Sequence, residues 1–316
     1  MIERHSVACH GIHNARADGH THYGWDNSIE PILEVEPGAE VFFNVTEASG
    51  GVLDASSTAA DLSRLDLDVI NPVTGPVSIK GARPGQTLVI DILAFGAAEW
   101  GWTALIPGFG LLADQFAEPR LKISKVSGNT VDFLGGLRLP VRPFCGTIGL
   151  APAEPGKHSI VPPRVVGGNM DIRHLTAGAT LYLPIQVAGA LFSVGDSHAA
   201  QGDGEVCGTA IESPIDISLR FSLSDRAIKA PEYRLRPGNR ILDPVGYHAT
   251  TGVAPDLMEA TRGAVAHMID YLGAEHGMGA EDAYMLCSVA ADLSISEVVD
   301  VPNWIVSLHM PLSVFG

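Results

Sequence analysis

Residues 195–205 read Gly-Asp-Ser-His-Ala-Ala-Gln-Gly-Asp-Gly-Glu, between two segments with the hydrophobic patterns of strands. Leu181 to Val194 is almost continuously apolar, as buried strands are. Ile215 to Leu223 alternates between apolar and polar residues, with the period of a half-buried strand. These patterns predict that the acidic segment, residues 195–205, is a loop carried by a sheet, a common location for functional residues.

The acidic segment combines side chains that bind metals or transfer protons. It contains the carboxylates of Asp196, Asp203 and Glu205, the imidazole of His198 and the amide of Gln201, without a lysine or an arginine. Like-charged groups so close in sequence repel one another unless a cation or a proton joins them. A solvated Asp-Gly turn is the simpler interpretation, but His198 and Glu205 contribute nothing to turn geometry. We therefore predict a metal-binding or catalytic role.

The composition limits the class of protein and its partners. With 316 residues, 46% of them hydrophobic and 18% charged, the chain can bury a large core. Its net charge of −16 argues against nucleic acid or an anionic membrane surface as a partner and leaves small molecules. No apolar run reaches the roughly 20 residues of a membrane helix. The first residues lack the apolar core of a signal peptide, and the four cysteines are scattered, which predicts a cytoplasmic protein.

The pattern of short segments predicts a mainly β fold with a β-sandwich or barrel-like core. The chain has 35 glycines and 21 prolines, which separate short β-rich segments as such folds require. Strands are predicted at Val77–Ile79 and Thr87–Leu93. A hairpin is predicted for residues 121–133, with its turn at Ser127-Gly128-Asn129.

The C-terminal third differs, because its apolar residues recur at helical spacing. This spacing predicts a helix over Pro255–Leu272 and a second one over Ala280–Leu293. We therefore expect an inserted α+β portion with a helical pair, at about residues 253–297. In domain terms, residues 1–160 are predicted to form an N-terminal β-rich portion and residues 161–316 the β-sandwich portion that carries the acidic segment.

Two further stretches are predicted to lie outside the regular elements. Residues 48–75 are expected to be a long surface excursion. Trp100 to Phe109, rich in Trp, Gly and Pro, is predicted to be a loop whose Trp100 and Trp102 cover either a site or a subunit contact. From this aromatic stretch we expect a homo-oligomer, a dimer or larger.

Other candidate site residues lie outside the acidic segment. His22 is flanked by Tyr23 and Trp25, which could form the wall of a small pocket, and Asp26 could orient its imidazole. Asn169 and Asp171 follow Gly167-Gly168, a bend that lets the backbone approach a ligand. An aspartate that only caps a turn is the alternative for Asp171. Cys145 lies in an apolar run, where a free cysteine is usually a small core residue, although it could be a nucleophile.

Four segments resemble the acetamidase/formamidase family. They are His22-Tyr23-Gly24-Trp25-Asp26, Gly75-Pro76 with the strand to Ile92, Gly167-Gly168-Asn169-Met170-Asp171, and the acidic segment; residues 283–290 are also similar. The resemblance implies a cytoplasmic amidohydrolase with a β-sandwich core and an accessory α+β part. It also implies cleavage of short amides such as formamide or acetamide to carboxylate and ammonia, with zinc and sometimes calcium as the metal.

We expect this chemistry to use a metal site whose ligands are Asp171, Asp196, His198 and Asp203. Zinc accepts nitrogen and carboxylate ligands and can activate a water. Glu205 is the predicted general base, and Asn169, Gln201 and His22 are predicted to bind the amide or its oxyanion. An all-oxygen cluster of Asp196, Asp203 and Glu205 would instead suit calcium.

Three alternatives stay open at the level of sequence. One is an amidase with Cys145 as its nucleophile. Another is a metal-dependent hydrolase of a larger or cyclic amide. The third is a non-enzymatic β-sandwich binding module whose acidic segment holds a structural calcium ion.

Overall fold

The protein folds mainly as two β-sheets, which confirms the predicted fold class. The computed structural model describes residues 4–7, 20–110, 117–133, 138–202, 205, 207–237, 245–280, 283 and 291–315. The strands are β1 (Arg4–Val7), β2 (Thr21–His22), β3 (Leu33–Val35), β4 (Glu40–Phe43), β5 (Val73–Ile79), β6 (Thr87–Phe95), β7 (Trp100–Leu105), β8 (Arg120–Ser127), β9 (Thr130–Asp132), β10 (Arg138–Pro140), β11 (Phe144–Leu150), β12 (Gly167–Asn169), β13 (Thr180–Pro184), β14 (Phe192–Ala200), β15 (Ile211–Glu212), β16 (Ile217–Ser224), β17 (Glu232–Arg234), β18 (Tyr247–Ala254), β19 (Asp292–Glu297) and β20 (Trp304–Pro311). Short 3-10 helices cover Ala59–Arg64, Leu67–Val69 and Leu312–Phe315.

The two sheets draw their strands from the whole chain. The first sheet has the order β1-β4-β16-β6-β13-β17-β18-β20-β19. The second has the order β10-β9-β8-β7-β15-β14-β11-β12, and β5, which carries β2 and β3, also pairs with β14. Both sheets combine strands from before and after residue 160, and the division predicted there stays a prediction.

The core lies where the two sheets face each other. Phe43 on β4 and Phe221 on β16 belong to the first sheet, and Phe192 on β14 belongs to the second. Their rings meet edge to face, with centroid separations of 5.7 Å for Phe43–Phe192 and 4.9 Å for Phe192–Phe221. Fully burying one such ring stabilises the fold by about 1.5–3 kcal/mol. This apolar layer therefore holds the two sheets together.

One helix, α1 (Leu257–His276), packs on the first sheet and confirms the helix predicted from residue 255. The Asp256 side chain accepts a hydrogen bond from the Glu259 amide at its N-terminus, and Gly277 ends it in the left-handed conformation, with a φ of 65°. A Cβ atom at Gly252 on β18 would lie 1.9 Å from the Ala260 carbonyl oxygen. Glycine is therefore required where the helix crosses this strand.

The prediction of a second helix over Ala280–Leu293 is wrong at its C-terminal end. Residues 281–282 and 284–290 lie outside the described residues, and Ala283 is helical. Leu293 belongs to β19, which pairs antiparallel with β20. Asp292 to Glu297 alternates polar and apolar residues, and this period of two suits a strand rather than a helix.

Other local predictions have mixed outcomes. The hairpin of β8 and β9 is confirmed. The apolar run from Leu181 to Val194 is not one strand but two, β13 and β14, separated by a turn in which Ala190 and Leu191 have positive φ. The loop predicted for Trp100–Phe109 is wrong up to Leu105, because β7 pairs there with β8. Within residues 48–75, predicted as a surface excursion, Ser49 and Leu53 are buried.

One edge of strand β14 pairs with two different strands in succession, and this change of partner positions the site. One edge of β14 pairs with β11 from Phe192 to His198. The other edge pairs with β5 as far as Gly195, and with β15 from His198 onward. Asp196 lies at the point where the two partner strands separate.

Candidate active site

The first half of the acidic segment is a strand rather than the predicted loop. Asp196 and His198 both belong to β14. Asp196 has a φ of 55°, which interrupts the regular strand, and the register with β11 passes from Ser197↔Cys145 to Gly195↔Thr147 around it. This irregularity directs polar side chains from the strand into a buried cluster, which we call the acidic cluster: Asp171, Asp196, His198, Glu205, Glu212 and Asp300.

A row of register partners crosses the second sheet at His198. Successive partners on β11, β14, β15 and β7 are Phe144, His198, Glu212 and Trp102. Directly opposed residues present their side chains on the same face of a sheet. The His198 Nε2 atom lies 3.1 Å from Glu212 Oε2, and the ring of Phe144 meets the imidazole edge to face at 4.9 Å.

Gln201 fixes the orientation of the His198 ring. The Gln201 Oε1 atom lies 2.9 Å from His198 Nδ1, and Gln201 Nε2 donates to the backbone oxygen of Asp171 at 2.9 Å. If Nδ1 donates to the amide oxygen, the Nε2 atom of the neutral ring presents its lone pair to Asp196 and Glu212. These contacts suit Gln201 to orient His198, and the substrate contact predicted for it stays a prediction.

Asp171 carries the least satisfied carboxylate of the acidic cluster. Its side chain is buried, and neither carboxylate oxygen accepts from an N–H or a hydroxyl among the described residues, while the Asp300 carboxyl group lies within hydrogen-bonding reach of it. Glu212 Oε2 has no donor among the described residues other than the His198 ring, whose Nε2 atom lies 3.1 Å away. Buried carboxylates without donors are costly unless a proton or a cation is present.

Asn169 links the acidic cluster to a polar network. Its Oδ1 atom accepts hydrogen bonds from Thr147 Oγ1 at 2.5 Å and Asn71 Nδ2 at 3.3 Å, and its Nδ2 atom donates to Asp300 Oδ2 at 2.5 Å. Asn71 Nδ2 also donates to Asp196 Oδ2 at 3.2 Å, and the single hydroxyl hydrogen of Thr147 is shared between Asn169 and the same Asp196 oxygen, which lies 3.2 Å from Thr147 Oγ1. These bonds hold one oxygen of Asp196 and leave the other facing His198.

The acidic cluster perturbs the protonation of its own members. Burial, followed by the charge of nearby carboxylates, raises the pKa of Asp171, Glu205 and Asp300 well above the ordinary range. Burial also raises the pKa of Glu212 to about 7, although His198 opposes this shift. For His198, burial disfavours the charged ring, but Glu212 and Asp196 outweigh it and raise its pKa. Such perturbations are typical of functional sites.

The acidic cluster forms the floor of a small cavity of about 200 Å³. Apolar side chains form much of the remaining wall: Ala48, Ile70, Trp102, Ile106, Pro107, Phe109 and Val161. Glu205 and Thr209 line both this cavity and an adjoining pocket of about 530 Å³. The cavity is smaller than the pockets of roughly 300–1,000 Å³ that hold drug-sized ligands, so it suits a molecule of few atoms.

Backbone strain is concentrated around the cavity. Asn71, Asp171, Asp196 and Glu205 all line it, and all have positive φ, between 45° and 55°. A non-glycine residue in this region costs of order 1–3 kcal/mol and persists only where the surrounding structure holds it. The four strained residues thus all contribute to the wall of the same small cavity.

The geometry of the acidic cluster fits a metal ion. Ligand atoms of Asp196, His198 and Glu212 lie within 4.8 Å of one another, as do those of Asp171, His198 and Glu205. A Cβ atom at Gly146 would lie 2.3 Å from Asp171 Oδ1 and 2.7 Å from Asp196 Oδ2. The glycine thus keeps a space open between two carboxylates, one of which has no hydrogen-bond donor among the described residues.

Some of the predicted site residues lie elsewhere. His22 does not line the cavity; its ring nitrogens contact Ser193 Oγ and the Gly24 carbonyl oxygen, both at 2.8 Å. Asp26 accepts from the amide and hydroxyl of Ser28 and makes no hydrogen bond to His22 among the described contacts, so it does not orient the ring as predicted. Asp203 lies outside the described residues.

Cys145 is a core residue. Its side chain is buried in the apolar layer between the sheets and does not line the cavity. Burial raises the pKa of its thiol well above the ordinary value, which disfavours the thiolate that a nucleophile needs. The geometry therefore does not support Cys145 as the nucleophile.

Sequence reasoning missed Glu212, Asp300, Asn71 and Thr147. Glu212 lies shortly after the acidic segment, and its acidic side chain so close to a predicted strand was an available signal. Asp300 follows Glu297, whose Oε1 atom accepts from the backbone amide of Asp300 at 2.6 Å. Nothing in the local sequence indicates that this C-terminal turn reaches residue 171.

Solved structures with the same fold identify the class of protein. The acetamidase from Bacillus halodurans superimposes with a TM-score of 0.87 and 28% identity, covering 98% of both chains. A predicted acetamidase/formamidase from Thermoanaerobacter tengcongensis gives a TM-score of 0.88 and 27% identity, covering 100% of this chain and 98% of that one. Together with the buried acidic cluster, these likenesses define an amide hydrolase.

The sequence comparisons give the family. The acetamidase/formamidase family model matches residues 12–159 and 153–316, and the chain belongs to this family. The formamidase of Methylophilus methylotrophus is 27% identical, with 94% of this chain and 90% of that protein covered. Among the described residues, no helix is both long enough and apolar enough to cross a membrane.

Proposed function

We propose that the protein is a metal-dependent amidohydrolase that converts short aliphatic amides, such as formamide and acetamide, to carboxylate and ammonia. The observation that carries the metal dependence is Asp171, whose buried carboxylate has no donor at either oxygen among the described residues. The charged groups that act on it are further carboxylates and the imidazole of His198. A bound cation would offset the negative charge of these buried carboxylates, which would otherwise have to share protons among themselves.

His198, Asp196 and Glu212 would hold the metal, with Asp171 as a further oxygen donor. The nitrogen of His198 favours zinc, because calcium prefers oxygen ligands alone. When bound, such a metal polarises the amide carbonyl and lowers the pKa of a water to about 7. Asp203, predicted as a ligand, remains part of the proposal as a candidate from the sequence.

Glu205 serves as the general base. It accepts a proton from the water as the bond between the water oxygen and the carbonyl carbon forms. It returns the proton to the nitrogen as the C–N bond breaks, so that ammonia leaves and the carboxylic acid remains; the acid then ionises to the carboxylate by releasing its proton, which ammonia or solvent takes up. Because Glu205 lines both the cavity and the adjoining pocket, it can reach the reacting groups and exchange protons with solvent. This role contributes typically 10²–10⁴-fold in rate.

Asn169 stabilises the oxygen of the amide. Its Nδ2 atom has two hydrogens, and one of them is donated to Asp300. No acceptor is found for the second among the described residues, and Asn169 lines the cavity, so this hydrogen could be donated to a bound amide. Both hydrogens of Asn71 Nδ2 have acceptors, Asn169 and Asp196, so Asn71 holds the network instead.

The decisive experiment measures ammonia release from formamide, acetamide, propionamide and a small lactam. It is done before chelation, after chelation and dialysis with metal content checked by mass spectrometry, and after separate addition of zinc or calcium. We expect activity to disappear with the metal and to return with zinc. A metal-free, fully active enzyme would contradict the metal dependence.

Two controls separate the alternatives. Glu205→Gln should lower kcat by 10²–10⁴ while the protein remains folded. A non-enzymatic module with structural calcium would release no ammonia from any amide, and chelation would only lower its Tm.

The cellular setting completes the proposal. We infer that the protein works in the cytoplasm as a homo-oligomer, a dimer or larger, as expected from the scattered cysteines and the aromatic stretch at Trp100–Phe109. Light scattering coupled to size-exclusion chromatography measures the oligomeric state, and a monomer would contradict it.

A further inference from the structure

Trp102 lies next to the acidic cluster in the row of register partners that crosses the second sheet. It is the direct partner of Glu212, which is in turn the partner of His198. Its side chain is completely buried and lines the 200 Å³ cavity. A large rigid ring therefore forms the cavity wall next to the acidic cluster, and an amide bound at this cluster would share the cavity with it.

A buried carboxylate holds this indole in place. Glu47 Oε2 accepts from Trp102 Nε1 at 2.6 Å and from the Ser49 amide at 2.7 Å. Glu47 Oε1 accepts from Ser49 Oγ at 2.6 Å and from the Gly51 amide at 2.9 Å. Each oxygen thus has two donors, and charge-assisted hydrogen bonds to a buried carboxylate are strong and directional. The ring cannot turn aside without leaving its own buried N–H donor unpaired.

The remainder of the apolar wall is less constrained than Trp102. Ile106 and Phe109 are half-buried, and Pro107 is exposed. These residues can yield to a ligand more easily than a fully buried ring inside the sheet. The limit on ligand length in the direction of β7 is therefore set by the indole.

We propose that Trp102 determines the longest acyl chain that the enzyme accepts and that Glu47 is the positioning residue that holds Trp102 in this role. The inference rests on the proposed amidase function and specifies its substrate class as amides of the shortest acyl chains. Glu47 contacts Trp102 rather than the substrate, so its effect has to appear through chain-length selectivity.

The test compares kcat and KM for formamide, acetamide, propionamide and butyramide in the metal-loaded enzyme and in Trp102→Leu and Trp102→Phe. One methylene in an apolar pocket changes selectivity by about 10–200-fold. We expect Trp102→Leu to raise kcat/KM for propionamide or butyramide relative to acetamide by at least 10-fold, mainly through KM. Trp102→Phe should shift the profile in the same direction by less, and it decides the question if Trp102→Leu does not fold.

Trp100→Leu is the matched control. Trp100 lies on the same strand and packs against the same apolar cluster, but it does not line the cavity. The control should keep the parent selectivity. Glu47→Gln, which loses the charge at nearly constant shape, should broaden the selectivity toward longer amides.

The outcomes are distinguishable. If folded Trp102 variants lose activity toward all amides in equal proportion, or if Trp100→Leu broadens selectivity equally, Trp102 is only structural and the inference is overturned. If Glu47→Gln leaves the profile unchanged, the positioning role is overturned. A folded parent enzyme that hydrolyses no amide overturns the proposed function and, with it, this inference.

Discussion

His198 and Glu212 are direct register partners on β14 and β15, with Nε2 of the imidazole 3.1 Å from Oε2 of the carboxylate. Their proximity is a property of strand pairing rather than of a flexible loop. A slip of one residue between these strands would move Glu212 to the opposite face of the sheet. The relative position of these two side chains in the acidic cluster is therefore fixed by the register of the second sheet.

Asp171→Asn should have opposite effects on the stability of the metal-free and metal-loaded protein. Without metal, burial and the charge of Asp196 raise the pKa of Asp171, so the ionised group destabilises the fold near pH 7. Asparagine has no proton to take up on folding, and we therefore expect the substitution to raise the free energy of unfolding of the metal-free protein. With metal, the lost ligand should make the variant less stable than the parent.

Urea denaturation with and without chelator measures both effects of Asp171→Asn. Asp216→Asn is the matched control, because the Asp216 carboxylate already accepts from Asn44 Nδ2 at 2.8 Å. It should give no gain in the metal-free protein. Equal destabilisation of Asp171→Asn in both conditions would argue against a cation beside Asp171.

Gln201→Leu should weaken metal binding and activity by about 10–100-fold, because partners that orient a metal-binding histidine have effects of this size. The substitution removes the acceptor at His198 Nδ1 and frees the ring. Metal titration and kcat/KM measure the loss. Gln186→Leu is the control, since Gln186 accepts only from the Ala153 amide in the described contacts, away from the cavity. An unaffected Gln201→Leu enzyme would show that His198 needs no such support.

Cys145→Ala should retain amidase activity. The thiol lies in the core between the sheets, and its removal leaves only a small gap there. We expect a stability loss of roughly 1 kcal/mol, near the centre of the distribution for point substitutions, together with an unchanged kcat. Ammonia release and thermal unfolding measure the two quantities. Complete loss of activity in a folded variant would restore the nucleophile hypothesis.

His22 should make the stability of the protein depend on pH between about 6.5 and 4. Burial lowers the pKa of His22 from 6.5 to about 4, so the unfolded chain binds a proton in this range that the folded chain does not. The resulting stability is present above pH 6.5 and is lost as the pH falls toward 4. At pH 5 the loss attributable to His22 should be about 1–2 kcal/mol.

The comparison of the parent with His22→Gln isolates this contribution. Glutamine does not titrate but can still contact Ser193, so the variant should lose less stability between pH 7 and pH 5. Urea midpoints at the two pH values provide the measurement. Parallel pH dependence in the two proteins would mean that His22 takes up its proton without unfolding.

Much of the fold followed from local patterns. The alternation in β6 and β16, the turn between β8 and β9, and the helical spacing in α1 are all local signals. The loop predicted for Trp100–Leu105 was wrong because this segment becomes a strand only through its packing against other strands. A Cβ atom at Gly101 would lie 2.7 Å from the Glu212 carbonyl oxygen. Glycine, which suggests a loop in isolation, is there because another strand passes close by.

The site was predictable only in part for a related reason. Asp196, His198 and Glu205 share one segment, and Asp171 follows a Gly-Gly bend, so the sequence alone indicated these four residues. In the structure they lie in the same cluster. Glu212 joins them through the register of β15, and Asp300 through a turn near the C-terminus. Such contacts depend on the pairing of distant segments, which no local pattern contains.

The left-handed backbone at Asp171, Asp196 and Glu205 has a consequence for protein engineering. A redesign that maximises thermal tolerance would favour glycine or asparagine at all three positions, since both accommodate this conformation more easily. Such a redesign would remove three carboxylates from the 200 Å³ cavity while relieving the strain of the backbone. A heat-resistant derivative of this enzyme therefore has to be sought by changes elsewhere, with these three positions kept as they are.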